Sequence, residues 1–493
     1  RAMKLSALAS ILNNAQIYGD PDVEISRIHC DSKSISRGDL FFPKKGERKD
    51  GLDFVNEAIQ RGASAVLVTS KIQENIPQLV TSRSAENLKA LCLHLYNHPT
   101  KKLGVIGVTG TNGKTSICHF IEALLGTQFL HTGYIGTTQY RWNNSSVDSK
   151  LTTPMFEELQ YYFAAMAEEN VSHVVMECSS HGIETGRIDH IDFDICVYTN
   201  LTHEHLDFHH TMQEYEEAKK KLFVKYLSKS SKKNKHAVIN IHDPIGKKWV
   251  QEKIFPDIMT YGLKSDADIY PVSIETENEG MKISLSVFGE KLSFFMPTLG
   301  VYNVLNIMAA IAVVQKLGVS TKKMTQRIEE GIWVPGRLQK VPIDAPFTVI
   351  VDYAYTEDAL RNVLQTLVPF RKNRIIAVFG CGGDRDRTRR PKMAKAVYEY
   401  ADRIIVTTDN PRTEVPEKII EEILTGIENE SEYQKRVSVC VDRKEAIAKS
   451  LEIAEDGDIV LIAGKGHETY QEIHGVRYPF DDREIVKTCW KSK

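Results

Sequence analysis

No two of the eight cysteines (Cys30, Cys92, Cys118, Cys178, Cys196, Cys381, Cys440 and Cys489) form a CxxC pair. Several lie in apolar runs such as LCLHL and DICVYT, the pattern of reduced, mostly buried thiols in a cytosolic protein. No charge surplus exists either: a net charge of −2 argues against nucleic acid as the main partner, because neutralising phosphates needs excess base. A local basic patch for an anionic small molecule stays open. Signal-peptide patterning, a run apolar enough to span a bilayer, internal repeats and low-complexity tracts are all missing. What is present is ordinary globular composition, 42% apolar and 26% charged, over 493 residues. That length exceeds what one core serves, so two to four domains are expected. The Arg1-Ala2 pair ahead of Met3 is set aside from the fold.

Residues 1–102 mix short signals: EISRIHCDSKSI, GDLFFP, a helical FVNEAIQRGA and AVLVT, closed by the polar turn NHPTKK. From 103 a strongly apolar strand, LGVIGV, enters a glycine-rich turn and the amphipathic helix SICHFIEALL. VSHVVMEC and FDICVYT are further buried-strand candidates. KSSKKNKH (229–236) reads as a solvated loop, MKISLSVF with KLSFFM as an antiparallel hairpin, and NVLNIMAAIAVVQKLG as a helix. After PGR (335–337) strands TVIVD, RIIAVFG, RIIVTTD, VSVCV and DIVLIAG alternate with helices, which predicts a mainly parallel sheet covered on both faces. The expectation is three α/β domains, at 1–102, 103–335 and 336–493.

Residues 107–116, GVTGTNGKTS, nearly match a phosphate-binding loop, with Val108 where the usual pattern has glycine. Gly110 and Gly113 let backbone N–H groups face an anion, and the following helix offers its positive end. Lys114 supplies charge for phosphates, and Thr115 a hydroxyl for Mg²⁺. A tight turn that binds nothing has no need of Lys-Thr at the helix start. Glu177 in MECSSHG follows a buried strand and suits magnesium, although a lone carboxylate is more often paired or on the surface. In TNLTHEHLDFHH (199–210), His205 and His209 stand i, i+4, but the HExxH order is lacking. One histidine as a magnesium or nucleotide contact is favoured over zinc. The lysines 219–221 of QEYEEAKKKLF read from spacing alone as a charged face.

Four C-terminal strands end in polar loops, DYAYTED, GCGGDRDRTRR, DNPRTE and GKGHE, and ligand crevices in such folds lie beyond strand carboxyl ends. Arg390 and Arg412, placed in loops after neighbouring strands, suit a carboxylate-rich ligand through bidentate hydrogen bonds. Ion pairs with the many local acids are the alternative. Glu468 offers a carboxylate to an ammonium group, so the site fits an amino acid.

GTNGKT, MExSSHG, TNL…HLD, YxxAK, GxxNxxN, VDYAxT and GCGGDRD occur in this order, and together they resemble the Mur ligases, ATP-dependent amide-forming enzymes of peptidoglycan synthesis. GTNGKT is that family's phosphate loop, so Val108 is no defect. DNPR with GKGHE resembles the branch that joins meso-diaminopimelate to UDP-MurNAc-L-Ala-D-Glu. Lysine-adding relatives usually replace the DNPR arginine, which would clamp the distal carboxylate of diaminopimelate and repel a lysine ammonium.

The resemblance implies ATP contacts at Gly110, Thr111, Asn112, Gly113, Lys114, Thr115 and Ser116, with Asn303, Asn306, Arg337 and Asp352 at the helix and domain junction. It implies Mg²⁺ held near Thr115, Glu177, His205 and Lys219, the last as a carbamate. Lys114, Lys219, His205 and Glu177 would be the catalytic set. Cys30, Ser32, Glu47, Arg48, Lys49, Thr152, Thr153, Ser179 and Arg187 would hold the UDP-muramoyl-dipeptide. Arg390, Asp409, Asn410, Pro411, Arg412, Gly464 and Glu468 would hold diaminopimelate. A cytoplasmic, monomeric enzyme is expected. Tyr355 stands where the family usually has histidine, and His203-Glu204 replaces its usual Arg/Ser-Asp; Thr185 receives no role. The competing readings are a lysine-adding ligase, a folylpolyglutamate synthase and an ATP-binding transport or regulatory module.

Overall fold

The computed structural model describes residues 2–46, 49–202, 211–277 and 280–491. Three sheets organise the chain. The first, in the order Gln16–Tyr18, Gln78–Val80, Ala65–Val68, Asp39–Phe41, Arg27–His29, is parallel except at its Gln16–Tyr18 edge. It packs its own core around Leu5, Leu40, Leu67 and Leu91.

The central sheet has eleven strands, with Gly104–Thr109 between His173–Glu177 on one side and Ile195–Tyr198 on the other. Gly104–Thr109 is apolar because both faces are covered. Lys114–Leu125 and Val301–Lys316 pack one face, while Trp249, Phe223 and Phe163 fill the other. From Gly104–Thr109 the chain crosses to Thr132–Ile135, then returns past it to Ile195–Tyr198. The glycine-rich turn therefore lies where strand order reverses, the usual place for a ligand crevice. The hairpin read from MKISLSVF and KLSFFM is present as Gly280–Val287 and Glu290–Met296, with alternate residues buried.

The third sheet runs Gln339–Lys340, Thr348–Asp352, Ile459–Ala463, Ile375–Phe379, Arg403–Val406, Val437–Val439, and all but the first strand are parallel. The strands preceding the four polar loops are thus consecutive neighbours, and their loops share one edge. The α/β architecture expected from the sequence is present in all three units. KSSKKNKH is for the most part exposed or half-buried, as its solvated reading expects, but two of its residues are anchored. Ser230 is buried and donates to Phe193 O at 2.7 Å, and Lys232 pairs with Asp194 at 2.9 Å. This loop closes the bottom of the central sheet.

Behind the third sheet's ligand edge, Arg443 and Asp482 form an ion pair at 2.8 Å, both side chains 0% exposed. Arg443 also donates to Thr408 O at 3.2 Å and Ala463 O at 3.0 Å, pinning two strand ends together. Arg443→Leu strands the Asp482 charge, and the expected cost is about 3–5 kcal/mol in urea unfolding. Arg443→Leu/Asp482→Leu should recover much of it; a double variant as unstable as the single one contradicts this account.

Candidate active site

The glycine-rich turn is held from three sides. Thr111 N donates to Asn200 O and Asn112 N to Asn200 Oδ1, each at 2.9 Å, while Thr199 Oγ1 donates to Asn112 O at 2.7 Å. Gly110 has φ +149°, and a Cβ there would overlap Thr199 Oγ1; a Cβ on Gly113, φ +88°, would stand 2.7 Å from Asn306 Oδ1. Only glycine allows that approach. Lys114 starts the helix and folds back, its Nζ donating to Gly110 O at 2.7 Å and Thr111 O at 3.2 Å. Ser116 is buried in the helix's first turn.

Thr115 and Glu177 come together, Thr115 Oγ1 donating to Glu177 Oε1 at 2.8 Å. Glu177 is fully buried and also accepts from Tyr134 OH at 2.6 Å, Thr137 N at 2.7 Å and Thr137 Oγ1 at 3.1 Å. Burial pushes the Tyr134 hydroxyl well up, with the Glu177 charge adding, so it stays a donor. This set of hard oxygens suits Mg²⁺. Lys219 is 1% exposed, its Nζ 4.5 Å from the Tyr215 ring centre, and the Tyr215 hydroxyl meets Thr111 Oγ1 at 3.1 Å. Lys220 and Lys221 instead pair with Glu252 at 2.8 Å and Glu184 at 2.6 Å. The charged face is therefore real for two of the three lysines. His203, Glu204, His205 and His209 lie outside the described residues, as do Glu47 and Arg48.

Thr152, Thr153, Ser179 and Arg187 gather beside Glu177. Thr137 and Thr152 hydroxyls meet at 3.2 Å, Thr153 Oγ1 donates to Glu177 O at 2.9 Å, and Arg187 Nη1 donates to Thr153 O at 3.0 Å. Arg187 Nε is buried with no hydrogen-bond partner among the described residues. Ser179 Oγ accepts from Gly182 N at 3.0 Å, and Thr185 only closes its own helix through His181 O. The first unit's residues are separate from this cluster. Ser32 donates to Glu57 at 2.6 Å, the Lys49 ammonium lies 5.8 Å from the Phe54 ring centre, and burial pushes the Cys30 thiol well up.

At the junction with the third unit, Asn303 Nδ2 donates to Leu299 O at 2.8 Å, and Asn306 lies directly beneath Gly113. Asp352 accepts from Leu338 N at 2.7 Å and Ala354 N at 2.8 Å. Burial pushes its carboxyl up against the opposing pull of Arg337. The Arg337 guanidinium covers the Tyr353 ring at 4.9 Å, and its Nε is buried without a hydrogen-bond partner among the described residues.

The four loops of the third sheet line one cavity of about 410 Å³, closed from the central unit by Ser179, Ser180 and His181. Arg412 has φ +51°, held by Arg412 N donating to Glu472 O at 3.1 Å and His474 N donating to Arg412 O at 2.8 Å. Its Nη1 donates to Gly383 O at 2.9 Å, and Nε stands 3.5 Å from Glu472. Such left-handed backbone at a non-glycine residue is costly and persists where surrounding bonds over-determine it. Asp409, Asn410, Gly464 and Glu468 face the same space, with Pro411 between Asn410 and Arg412. Tyr355, 39% exposed, lines it too and packs edge-on to Tyr353 at 5.0 Å.

Arg390 corrects one expectation. It lies in the first turn of the helix Arg389–Tyr400, is 1% exposed, and pairs with Glu414 and Glu422, each at 2.7 Å. The ion pairs weighed as the alternative are therefore present, yet Arg390 also lines the cavity and its Nε is buried without a hydrogen-bond partner among the described residues. Glu468, expected to await an ammonium, already receives one from Lys465 at 2.8 Å. Thr199, Asn200, Tyr134, Thr137 and Lys465 received no role from sequence. Tyr134 and Thr137 act through contacts between segments far apart in the chain, whereas Thr199 and Asn200 inside TNL and Lys465 inside GKGHE carried a usable motif signal.

His467 of GKGHE packs against Tyr353 at 4.8 Å, and its ring is held down to about 3 by burial, with Arg337 and Arg483 adding. The folded value lies below the unfolded one of about 6.5, so the unfolded chain protonates first. Stability present above pH ~6.5 is therefore lost as pH falls towards ~3. Urea midpoints at pH 7.5 and 5.5 should differ more for the native chain than for His467→Asn; equal losses contradict a buried neutral imidazole.

Comparison with known proteins agrees with this arrangement. The family model described as Mur ligase family, catalytic domain, matches residues 24–94, the Mur ligase middle domain 108–314, and the Mur ligase, glutamate ligase domain 336–466. The UDP-N-acetylmuramoyl-L-alanyl-D-glutamate--2,6-diaminopimelate ligase of Lactiplantibacillus plantarum is 40% identical, over 98% of this chain and 97% of its own. That of Clostridioides difficile is 38% identical over 99% of each chain. A solved structure bearing the same protein name is 34% identical, with a TM-score of 0.63 over 100% of this chain and 99% of that one. The chain belongs to the Mur ligase family and is a ligase.

Proposed function

We propose that the protein uses ATP to join meso-diaminopimelate to the D-glutamate γ-carboxylate of UDP-MurNAc-L-Ala-D-Glu, in the cytoplasm and as a monomer. The observation that carries this reading is the shared cavity, where Arg412 and the carboxylates Asp409 and Glu468 face the Ser179–His181 segment beside the nucleotide loop. Guanidinium groups and carboxylates facing one crevice match a diamino diacid, whose distal carboxylate and ammonium need opposite partners. Lysine has no distal carboxylate and meets only repulsion at Arg412. The names of the relatives, each a 2,6-diaminopimelate ligase, support the same substrate.

Gly110 to Ser116 cradle the ATP phosphates through backbone N–H groups and the helix end. Lys114 exchanges its loop carbonyls for phosphate oxygens, and Asn303, Asn306, Arg337 and Asp352 frame the nucleoside. Thr152, Thr153, Ser179 and Arg187 hold the muramoyl-dipeptide near Glu177, and Cys30, Ser32, Glu47, Arg48 and Lys49 its uridine end. Thr115, Glu177, His205 and a carbamate on Lys219 would hold Mg²⁺, which when bound neutralises phosphate charge during transfer. Arg390, paired with Glu414 and lining the same cavity, joins Asp409, Asn410, Pro411, Arg412, Gly464 and Glu468 around diaminopimelate.

The γ-carboxylate oxygen attacks the γ-phosphorus, the bond to the bridging oxygen breaks, and ADP leaves. The resulting acyl phosphate is attacked at carbon by the free amine of diaminopimelate. Phosphate departs, and the amine proton is released with it. Lys114 stabilises charge at the phosphoryl group, while Ser179–His181 and the cavity loops exclude water that would hydrolyse the intermediate.

Incorporation of radiolabelled diaminopimelate, lysine and glutamate tests the reading. Diaminopimelate should dominate, and phosphate release should require both it and the UDP-dipeptide; preferred use of lysine would overturn the proposal. Arg412→Ala should raise KM for diaminopimelate by about 30-fold or more, the cost of losing a charged partner in a shielded site, with KM for ATP nearly unchanged. Equal losses for both substrates count against the role of Arg412.

A further inference from the structure

We propose, resting on the reading above, that Lys465 is a positioning residue: from beneath the cavity floor its ammonium holds the Glu468 carboxylate and sets the Asn410 amide, so that the crevice can take up the ammonium of the incoming amino acid. Lys465 is 0% exposed and is not among the residues that line the cavity, so its ammonium acts through its neighbours. Nζ donates to Glu468 Oε2 at 2.8 Å and to Asn410 Oδ1 at 2.9 Å. Asn410 Oδ1 accepts a second bond, from Glu472 N at 2.9 Å. With Oδ1 so engaged, the Asn410 amide has one orientation, and its Nδ2 donates to Glu468 Oε2 at 3.0 Å. Both donors converge on a single carboxylate oxygen and leave the accepting capacity of Oε1 unspent by them.

The electrostatics point the same way. Asp409 is 6% exposed and stands close enough to Glu468 to oppose its ionisation. Burial pushes the Glu468 carboxyl up, and Lys465 and Asn410 pull it back. Two carboxylates in one desolvated site tend to share a proton unless a cation sits with them. Other charged or titratable groups around this pair are Tyr353 from the neighbouring strand end, Tyr470 from the following hairpin, Cys381 beside Asp409, Arg443 from behind, and Arg385, Arg389, Arg390 and Arg412 across the cavity. Arg443 is already committed to Asp482 at 2.8 Å. Lys465 is thus the cation in direct contact with Glu468 that favours its charged form. A neutralised pair binds a diaminopimelate ammonium poorly, whatever Arg412 contributes at the far end.

The test is steady-state kinetics of the whole enzyme, with ATP and UDP-MurNAc-L-Ala-D-Glu saturating and diaminopimelate varied across pH. Lys465→Gln keeps hydrogen-bonding ability but removes the charge. It should raise KM for diaminopimelate by about tenfold or more and change KM for ATP by less than about twofold. The acid limb of kcat/KM for diaminopimelate should move to higher pH, and Lys465→Arg should move it back. Because Lys465 acts through Glu468, Lys465→Gln/Glu468→Gln should resemble Glu468→Gln alone. KM for ATP rising in step, an unmoved acid limb, or simple addition of the two effects would overturn the proposal. If thermal melting shows Lys465→Gln to be unfolded, the double variant, which removes both members of the pair, decides: an acid limb coincident with that of Glu468→Gln supports the proposal, and a distinct one sinks it. If the native enzyme does not incorporate diaminopimelate, the substrate reading fails first. The same variants, measured with the amino acid it does incorporate, then judge Lys465 alone.

Discussion

The buried carboxylate of Glu177 is the constraint around which the central unit is arranged. A charge taken out of water must be compensated, and here four hydrogen bonds do so, one each from Thr115 and Tyr134 and two from Thr137. Those partners come from the nucleotide-loop helix and the strand on the other side of His173–Glu177. One carboxylate thereby sets the distance between the glycine-rich turn and the strand edge where Thr152, Thr153, Ser179 and Arg187 gather. The same oxygens are the hard donors a magnesium ion favours, so the charge that organises the fold also suits the chemistry.

The third unit solves a related problem differently. Its ligand edge concentrates carboxylates and guanidinium groups, and each must be matched or exposed. Arg390 is matched by Glu414 and Glu422, Arg443 by Asp482, and Lys465 by Glu468. Arg412 is left lightly held, by one backbone carbonyl and a longer approach to Glu472. A guanidinium with weak internal partners is the one whose desolvation is least compensated before a ligand arrives. Arg443 is thus committed behind the edge, while Arg385, Arg389, Arg390 and Arg412 line the cavity.

The phosphate loop, the alternating third unit and its four polar loops were legible because each depends on local pattern: glycines at a turn, apolar runs of strand length, helices between them. Lys219 could be separated from Lys220 and Lys221 only through family resemblance, since three consecutive lysines carry no periodic signal. Burial then distinguishes it, as the helix turns that side chain toward Tyr215 while its neighbours find Glu252 and Glu184. Arg390 was misplaced only locally: expected in a loop, it lies in the first turn of a helix, and Glu414 and Glu422, more than twenty residues on, could not be named as its partners from the sequence.

By itself the sequence determined the three-unit α/β plan, the anion cradle and the presence of a charged crevice at strand ends, because those follow from spacing along one stretch of chain. Only the tertiary structure decided which charges are spent internally and which face the cavity. That division depends on burial and on partners brought together from distant segments, quantities that no local pattern of residues encodes.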